Sequence, residues 1–216
     1  LVLFDYYRAF VEDKKAHPGD DLTTALLHAE DEGKRMTDAE INAFLFLMVV
    51  AGNETTTKLL GNAVVHLAAH PEQRAQVLAD ASLVPAWIEE TLRFDTSSQF
   101  IGRLLLRDLT VGDVTAPAGA KLLLALGAAN HDEAVFTDPA RFDLHRDPEE
   151  LAQILSFGGG RHFCIGAHLA RMEARIALDA LVSRVSDFTV DRERCVRFYS
   201  ANVRGFAHVP MTVVPR

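Results

Sequence analysis

One of the two cysteines in this 216-residue chain, Cys164, closes a run that reads Phe157-Gly158-Gly159-Gly160-Arg161-His162-Phe163-Cys164-Ile165-Gly166. Three successive glycines allow backbone angles that other residues avoid. The run delivers its thiol just before a helical pattern that begins near Ala167. Main-chain N–H groups and the dipole at a helix start favour thiolate over thiol. A thiolate in that position can bind a metal or attack an electrophile. The bland alternative is a small buried hydrophobe. Zinc suits the run poorly, because no second cysteine or close His-x-x-Cys group repeats. A phosphate loop suits it no better, since no Lys-Ser/Thr follows and no strand–glycine–helix unit is complete.

Two further groups stand out. Ala51-Gly52-Asn53-Glu54-Thr55-Thr56-Thr57 interrupts a long apolar helical pattern with residues that fit a helix badly. Local disagreement with the wider pattern is where function is expected. Glu90 and Arg93 lie three apart and so share a helix face. They are either a surface pair of little worth or a buried pair that needs a third partner such as Arg141, with Arg146 the second choice.

The elements that must position these groups can be read from caps and periodicity. Residues 3 to 15 read as the end of a helix stopped by His17-Pro18-Gly19. Asp21 caps a second helix, Leu22 to Glu30, ended by Gly33. Thr37 and Glu40 form a capping box. They open a helix from Asp38 to about Ala69, roughly 48 Å long at 1.5 Å per residue, which His70-Pro71 ends. Its apolar stretch from Ala43 to Ala51 predicts burial on nearly every side. Helices follow from Pro71 to Leu78 and from about Leu83 to Phe94. Arg103 to Leu109 and Leu122 to Leu126 read as short strands, with turns at Gly112-Asp113 and Pro117-Ala118-Gly119. Asn130 to Ile154 reads as loop with short helical turns. A clean helix covers Ala167 to Arg184, and strand-like pieces lie at Phe188 to Val190, Arg197 to Tyr199 and Met211 to Val214. Helices first and strands later predict one mixed, mainly α domain with small β-sheets over residues 1–216.

Net charge is -8 and the basic residues are scattered, which argues against a nucleic-acid partner. No positively charged leader pattern opens the chain. The longest apolar stretch, Phe44 to Gly52, is shorter than the roughly 20 residues a bilayer needs. Two cysteines give no disulfide framework. A cytoplasmic setting without membrane attachment is expected. The chain opens inside a helical pattern without an initiator Met, as a fragment or the ordered part of a longer protein would.

The motifs together resemble the cytochrome P450 family, in particular the C-terminal half of a soluble bacterial member. The resemblance is carried by Ala51-Gly52-Asn53-Glu54-Thr55-Thr56 and by Glu90-x-x-Arg93. It is carried also by Asn130-His131-Asp132, with Asp138-Pro139-Ala140-Arg141-Phe142 after it. The Cys loop matches Phe-x-x-Gly-x-x-x-Cys-x-Gly at Phe157, Gly160, Cys164 and Gly166. Arg204-Gly205-Phe206 with His208-Val209-Pro210 resembles the family's tail.

That resemblance implies the C-terminal portion of the P450 fold, from the long central helix to the Cys-ligand loop and the helix after it, with the N-terminal portion absent. It implies haem b (iron protoporphyrin IX) with Cys164 as axial ligand, a role that promotes O–O cleavage. Phe157 packs beside the ligand, and Gly158, Gly160 and Gly166 let N–H groups approach the sulfur. His162 and Arg103 pair with the propionates, and Ala51 leaves room beside the iron. Glu54 and Thr55 correspond to the family's acid–alcohol pair, which relays protons and positions water. Glu90, Arg93 and Arg141 form a buried structural network. Val50, Asn53, Ser97, Ser98, Gln99 and Tyr199 are implied substrate contacts, with Val49, Thr96, Phe100, Ser200 and Ala201 behind them. The implied reaction is insertion of one atom of dioxygen into a small hydrophobic molecule, such as a lipid, steroid or terpenoid. Electrons come from a separate ferredoxin and ferredoxin reductase, and a monomer is expected. The competing readings are a non-catalytic or degenerate haem-binding relative and a haem-free scaffold.

Overall fold

The structure is a computed structural model, and it describes residues 2–216. The chain forms two compact units, residues 1–54 and 55–216.

In the first unit, α1 (Val2–Ala16) is followed by α2 (Leu22–His28). Asp21 starts α2 by accepting from the Thr24 N–H at 2.9 Å, the side-chain cap that its residue type predicts. The helix stops two residues earlier than the periodicity suggested. The chain turns there into a two-stranded ribbon, β1 (Glu30–Asp31) and β2 (Lys34–Arg35). Glu32 and Gly33 make its turn at positive φ. The core of this unit is small: Val11, Ile41 and Leu45, with Tyr7, Phe10, Leu26, Leu27 and Met36 against them.

The helix α3 (Asp38–Ala68) starts in the first unit and ends in the second. The capping box is made in both directions. The Thr37 N–H donates to Glu40 Oε2 at 2.8 Å, and the Glu40 N–H donates to Thr37 Oγ1 at 3.3 Å. The burial expected for Ala43–Ala51 is not found. Leu47, Val49 and Val50 are exposed, and Ile41 and Leu45 are the α3 residues that enter the small core. An apolar helix is buried only where elements exist to cover it, and the first unit brings two short helices and a ribbon.

The second unit holds the main core. α4 (Pro71–Ala79) and α5 (Val84–Phe94) each begin with a proline in the first turn, where the missing N–H costs nothing. Trp87 of α5 is fully buried and donates its indole N–H to Ala63 O at 2.9 Å. Burying a side chain of that size is worth about 5 kcal/mol. Beyond α5 the strands β3 (Ile101–Leu104), β4 (Leu109–Val111), β5 (Val114–Ala116) and β6 (Lys121–Leu124) form two antiparallel pairs, β3 with β6 and β4 with β5. Two short helical segments follow, α6 (Leu126–Ala129) and α7 (Pro148–Leu151), and then α8 (Ala167–Arg184). Ala174, Leu178 and Val182 of α8 pack into the core with Val77, Trp87, Ile88, Phe142 and Phe188. Two more antiparallel pairs close the chain. β7 (Val185–Val190) pairs with β10 (Met211–Pro215), and β8 (Val196–Arg197) pairs with β9 (Phe206–His208). Among the described residues no helix is long and apolar enough to cross a membrane.

Candidate functional site

The loop from Leu155 to Gly166 is fastened at its root by buried polar side chains. Asn130 Oδ1 accepts the Leu155 N–H at 2.7 Å, and Asn130 Nδ2 donates to Ser156 Oγ at 2.8 Å. The Ser156 hydroxyl donates to Leu92 O at 2.6 Å. Arg93 reaches the same node, donating from Nη1 to Asn130 O at 3.0 Å. The loop therefore hangs directly from α5.

Arg93 has no exposed surface, and all five of its N–H groups are used. Nε and Nη2 fork onto the Glu90 carboxylate at 2.8 Å each, and the rest go to the carbonyls of Asn130, Pro139 and Arg141. The third side chain of this network is Arg146, whose Nε donates to Glu90 Oε2 at 2.9 Å and whose Nη1 donates to Glu150 Oε2 at 2.9 Å. The role expected of the Arg141 side chain is thus corrected. Its guanidinium is 63% exposed and lies 3.8 Å from Asp143. Its main-chain carbonyl does the network's work, accepting from Arg93 and from Arg146. The backbone turns between the two arginines, so only the later one points inward. Asn130 and Ser156 were given no role from sequence. The only signal for Asn130 was its place in the Asn130-His131-Asp132 motif.

Further along, the loop needs its glycines at two points. Gly158 and Gly160 have φ of 71° and 65°, a region that other residues enter only under strain. Those turns bring the Cys164 N–H back to Phe157 O at 2.9 Å. A 3-10 turn over Gly160–His162 and the Phe163 N–H to Gly160 O bond at 3.0 Å complete the fold-back. Cys164 ends exposed, two residues before the Gly166 cap of α8. Phe157 packs under the Arg171 guanidinium at 4.6 Å. Arg171 is paired with Glu89, which raises its affinity for its proton; burial opposes this and Cys164 adds a smaller push. Phe163 and Ile165, on either side of the thiol, are exposed as well.

No cluster of His, Cys, Asp and Glu among the described residues could hold a bare metal ion. The loop presents one sulfur donor flanked by exposed apolar side chains. A metal held there needs its other ligands from a flat organic ring, and that is the donor set a haem requires. His162 is exposed on the loop, and Arg103 is half-buried on β3 with Nη1 bonded to Gly102 O. β3 runs beside the loop: a Cβ on Gly158 would meet Ile101 Cδ1 at 4.0 Å.

Thr55 lies in the same unit, and its carbonyl accepts the Ser97 hydroxyl at 2.8 Å. Ser97 is buried, while Ser98 and Gln99 are half-buried. The Gln99 amide is turned onto Thr96 O at 2.7 Å. Tyr199 is 94% exposed on the tail. Val50, Ala51, Asn53 and Glu54 sit on exposed turns of α3 in the first unit.

A model of the cytochrome P450 family matches residues 2–197. The chain belongs to the cytochrome P450 family. A Mycobacterium tuberculosis protein that carries the name cytochrome P450 123 is 54% identical over all 216 residues, which cover 53% of that protein. Vitamin D(3) 25-hydroxylase of Pseudonocardia autotrophica is 39% identical over 99% of this chain and 53% of its own length. Among solved structures, a cytochrome P450 from Chondromyces apiculatus superposes with a TM-score of 0.93 at 40% identity, covering 99% of this chain and 55% of that one.

The expected restriction to a C-terminal portion that starts at the central helix is overturned. The P450 match begins at residue 2 and takes in α1 and α2 ahead of α3. The chain spans about half the length of the curated P450 relatives it matches, 53% for the first of them.

Proposed function

We propose that this P450 chain carries a haem b-dependent monooxygenase site that hydroxylates or epoxidises a small hydrophobic molecule. The observation that carries the reading is the Cys164 loop: one exposed thiol, folded back by two positive-φ glycines, with no His, Cys, Asp and Glu cluster among the described residues that could hold a bare metal ion.

Cys164 holds the group through its sulfur as thiolate. Gly158, Gly160 and Gly166 let main-chain N–H groups approach that sulfur, and at Gly166 a Cβ would itself stand 3.8 Å from it. The Arg103 guanidinium and His162 imidazole bind propionate carboxylates. Bound haem supplies the redox chemistry by which one oxygen atom enters the substrate and the other leaves as water, using two electrons and two protons. Glu54 would relay protons from solvent, and the Thr55 hydroxyl would position the water through which they pass. In the unit that carries the Cys164 loop, Ser97, Ser98, Gln99 and Tyr199 are the substrate contacts; the family resemblance alone gives Val50 and Asn53 that role and gives Ala51 the role of leaving space. Electrons arrive from a ferredoxin and its reductase. The similarity to Vitamin D(3) 25-hydroxylase supports a sterol-sized apolar substrate with a polar handle.

The test is the absorption spectrum of the haem-loaded, reduced, carbon-monoxide-bound protein. A thiolate-type red-shifted Soret band is expected, and it is lost in Cys164→Ala. An imidazole-type spectrum sinks the reading. With redox partners supplied, Thr55→Ala keeps the band but forms at least about tenfold less product per NAD(P)H consumed, since positioned proton transfer contributes about 10²–10⁴-fold.

A further inference from the structure

Asp95 has no part in the Cys loop or in the Glu90 network, yet it is among the most heavily engaged acids in the molecule. It caps the end of α5, where its N–H donates to Thr91 O. Its side chain is 4% exposed. One carboxylate oxygen meets His66 Nε2 of α3 at 2.9 Å, and the other accepts from Arg204 Nε at 2.7 Å. Arg197 Nη1 stands 3.6 Å away. The main-chain carbonyl of Asp95 accepts from Asn62 Nδ2 of α3 at 2.8 Å, and the same amide reaches Arg204 O at 3.4 Å. A nearly buried carboxylate is tolerable only with partners of this kind. Its burial raises its pKa, but His66 and Arg204 outweigh that and hold it below the usual aspartate value.

The segments tied together are informative. Immediately after Asp95, residues 96–99 pair with the tail: Arg204 N–H donates to Ser97 O and Gln99 N–H to Asn202 O, each at 2.8 Å. Ser98 and Val203 form an antiparallel bridge. Ser97 also donates to Thr55 O. One carboxylate therefore anchors the end of α5, the second half of α3 and the tail turn that carries Tyr199 to Val203. Without that carboxylate, the segments keep the two main-chain bonds that make the bridge, the Ser97 bond to Thr55 O and the Asn62 amide's bonds to Asp95 O and Arg204 O, but lose the ionic tie of the tail to α3 and α5.

We infer that Asp95 is a positioning residue for substrate: by clamping Arg204 and His66 it fixes residues 96–99 against the tail turn, and so sets the wall those segments offer. The inference rests on the monooxygenase reading, which makes these segments substrate-facing. Asp95 touches neither haem nor substrate; it acts through Ser98, Gln99 and the tail.

The experiment compares wild type, Asp95→Asn and Arg204→Gln as haem-loaded protein. Arg204→Gln breaks the same contact from its half-exposed end, so a folding failure of Asp95→Asn leaves a usable variant. Hydrogen exchange is read at the amides of Gln99 and Arg204, and progesterone binding by its spectral shift. Both variants are expected to keep the thiolate-type band. The two amides should exchange, and the progesterone dissociation constant should rise, by about tenfold, the scale of coupling between contacting residues. Wild-type exchange at both amides overturns the clamp. Loosened amides with unchanged progesterone binding overturn the positioning role. A wild type without the thiolate band fails the monooxygenase reading and the substrate claim with it, whereas the two exchange rates still judge the clamp.

Discussion

The glycines of the Cys164 loop are not interchangeable. Gly160 has φ of 65°, while Gly159 between its neighbours is extended at φ -159°. A Cβ at either position would meet nothing within 4 Å, so space does not distinguish them and backbone strain does. Gly160→Ala should lower stability by about 1–2 kcal/mol, the cost of placing a Cβ in the left-handed region. It should also shift Cys164 enough to reduce haem retention. Gly159→Ala should match wild type in both. Thermal unfolding and haem content of the purified variants decide it, and equal losses at the two positions reject the assignment. The three-glycine run was visible in sequence, but which glycines carry positive φ was not, because that depends on where the Cys164 N–H finds its carbonyl.

At the level of elements, α5 is the girder on which the loop hangs. Its Glu90 satisfies two buried guanidiniums and the Asp143 N–H at 2.9 Å. Glu90→Gln leaves Arg93 in the interior without its counter-charge and Arg146 with Glu150 alone, and breaking such a buried pair costs about 3–5 kcal/mol. Arg141→Ala removes only an exposed side chain and should stay within about 0.5 kcal/mol of wild type. Urea midpoints measure both, and a large effect of Arg141→Ala contradicts the network drawn here. Asp95 gives the pH dependence. Its folded pKa lies below its unfolded value, so its contribution is present above the ordinary pKa of about 3.9 and is lost as pH falls through the folded value. The urea-midpoint gap between wild type and Asp95→Asn should shrink as pH falls below about 4; a gap unchanged on acidification from about pH 5 to about pH 2 excludes this cause. Helix ends such as Thr37–Glu40 and His70–Pro71 were legible because caps are local. The Glu90–Arg93 pair was legible for the same reason. The Asp95 hub was not, since its partners His66 and Arg204 lie 29 and 109 residues away. The choice between Arg141 and Arg146 was equally hidden: two arginines five apart differ only in which way the folded backbone turns them.

Across the whole molecule the two units differ in what holds them. Among the described residues the larger core joins sixteen buried ones, including Trp87, Phe142 and Phe188, whereas the smaller joins three. Apolar burial is the main favourable term in folding, and a short segment buries a small share of its surface. The helix α3 passes from one regime to the other. Its Leu59, Ala63 and Leu67 are buried in the large core, while Leu47, Val49 and Val50 are exposed. Periodicity alone could not report this, because an all-round apolar helix looks the same whether or not anything exists to cover it. Native-state hydrogen exchange of the chain should therefore show graded protection along α3. Amides from Leu59 to Leu67 should open only with global unfolding, and those from Phe46 to Glu54 should open at lower free energy. Urea should raise exchange at the first group with the full unfolding slope and at the second with a smaller one. Uniform protection along the helix rejects the two-regime picture. The same gradient bears on the proposed function: Glu54, proposed with Thr55 to handle protons, ends the stretch expected to open first, while Thr55 begins the unit that holds the larger core.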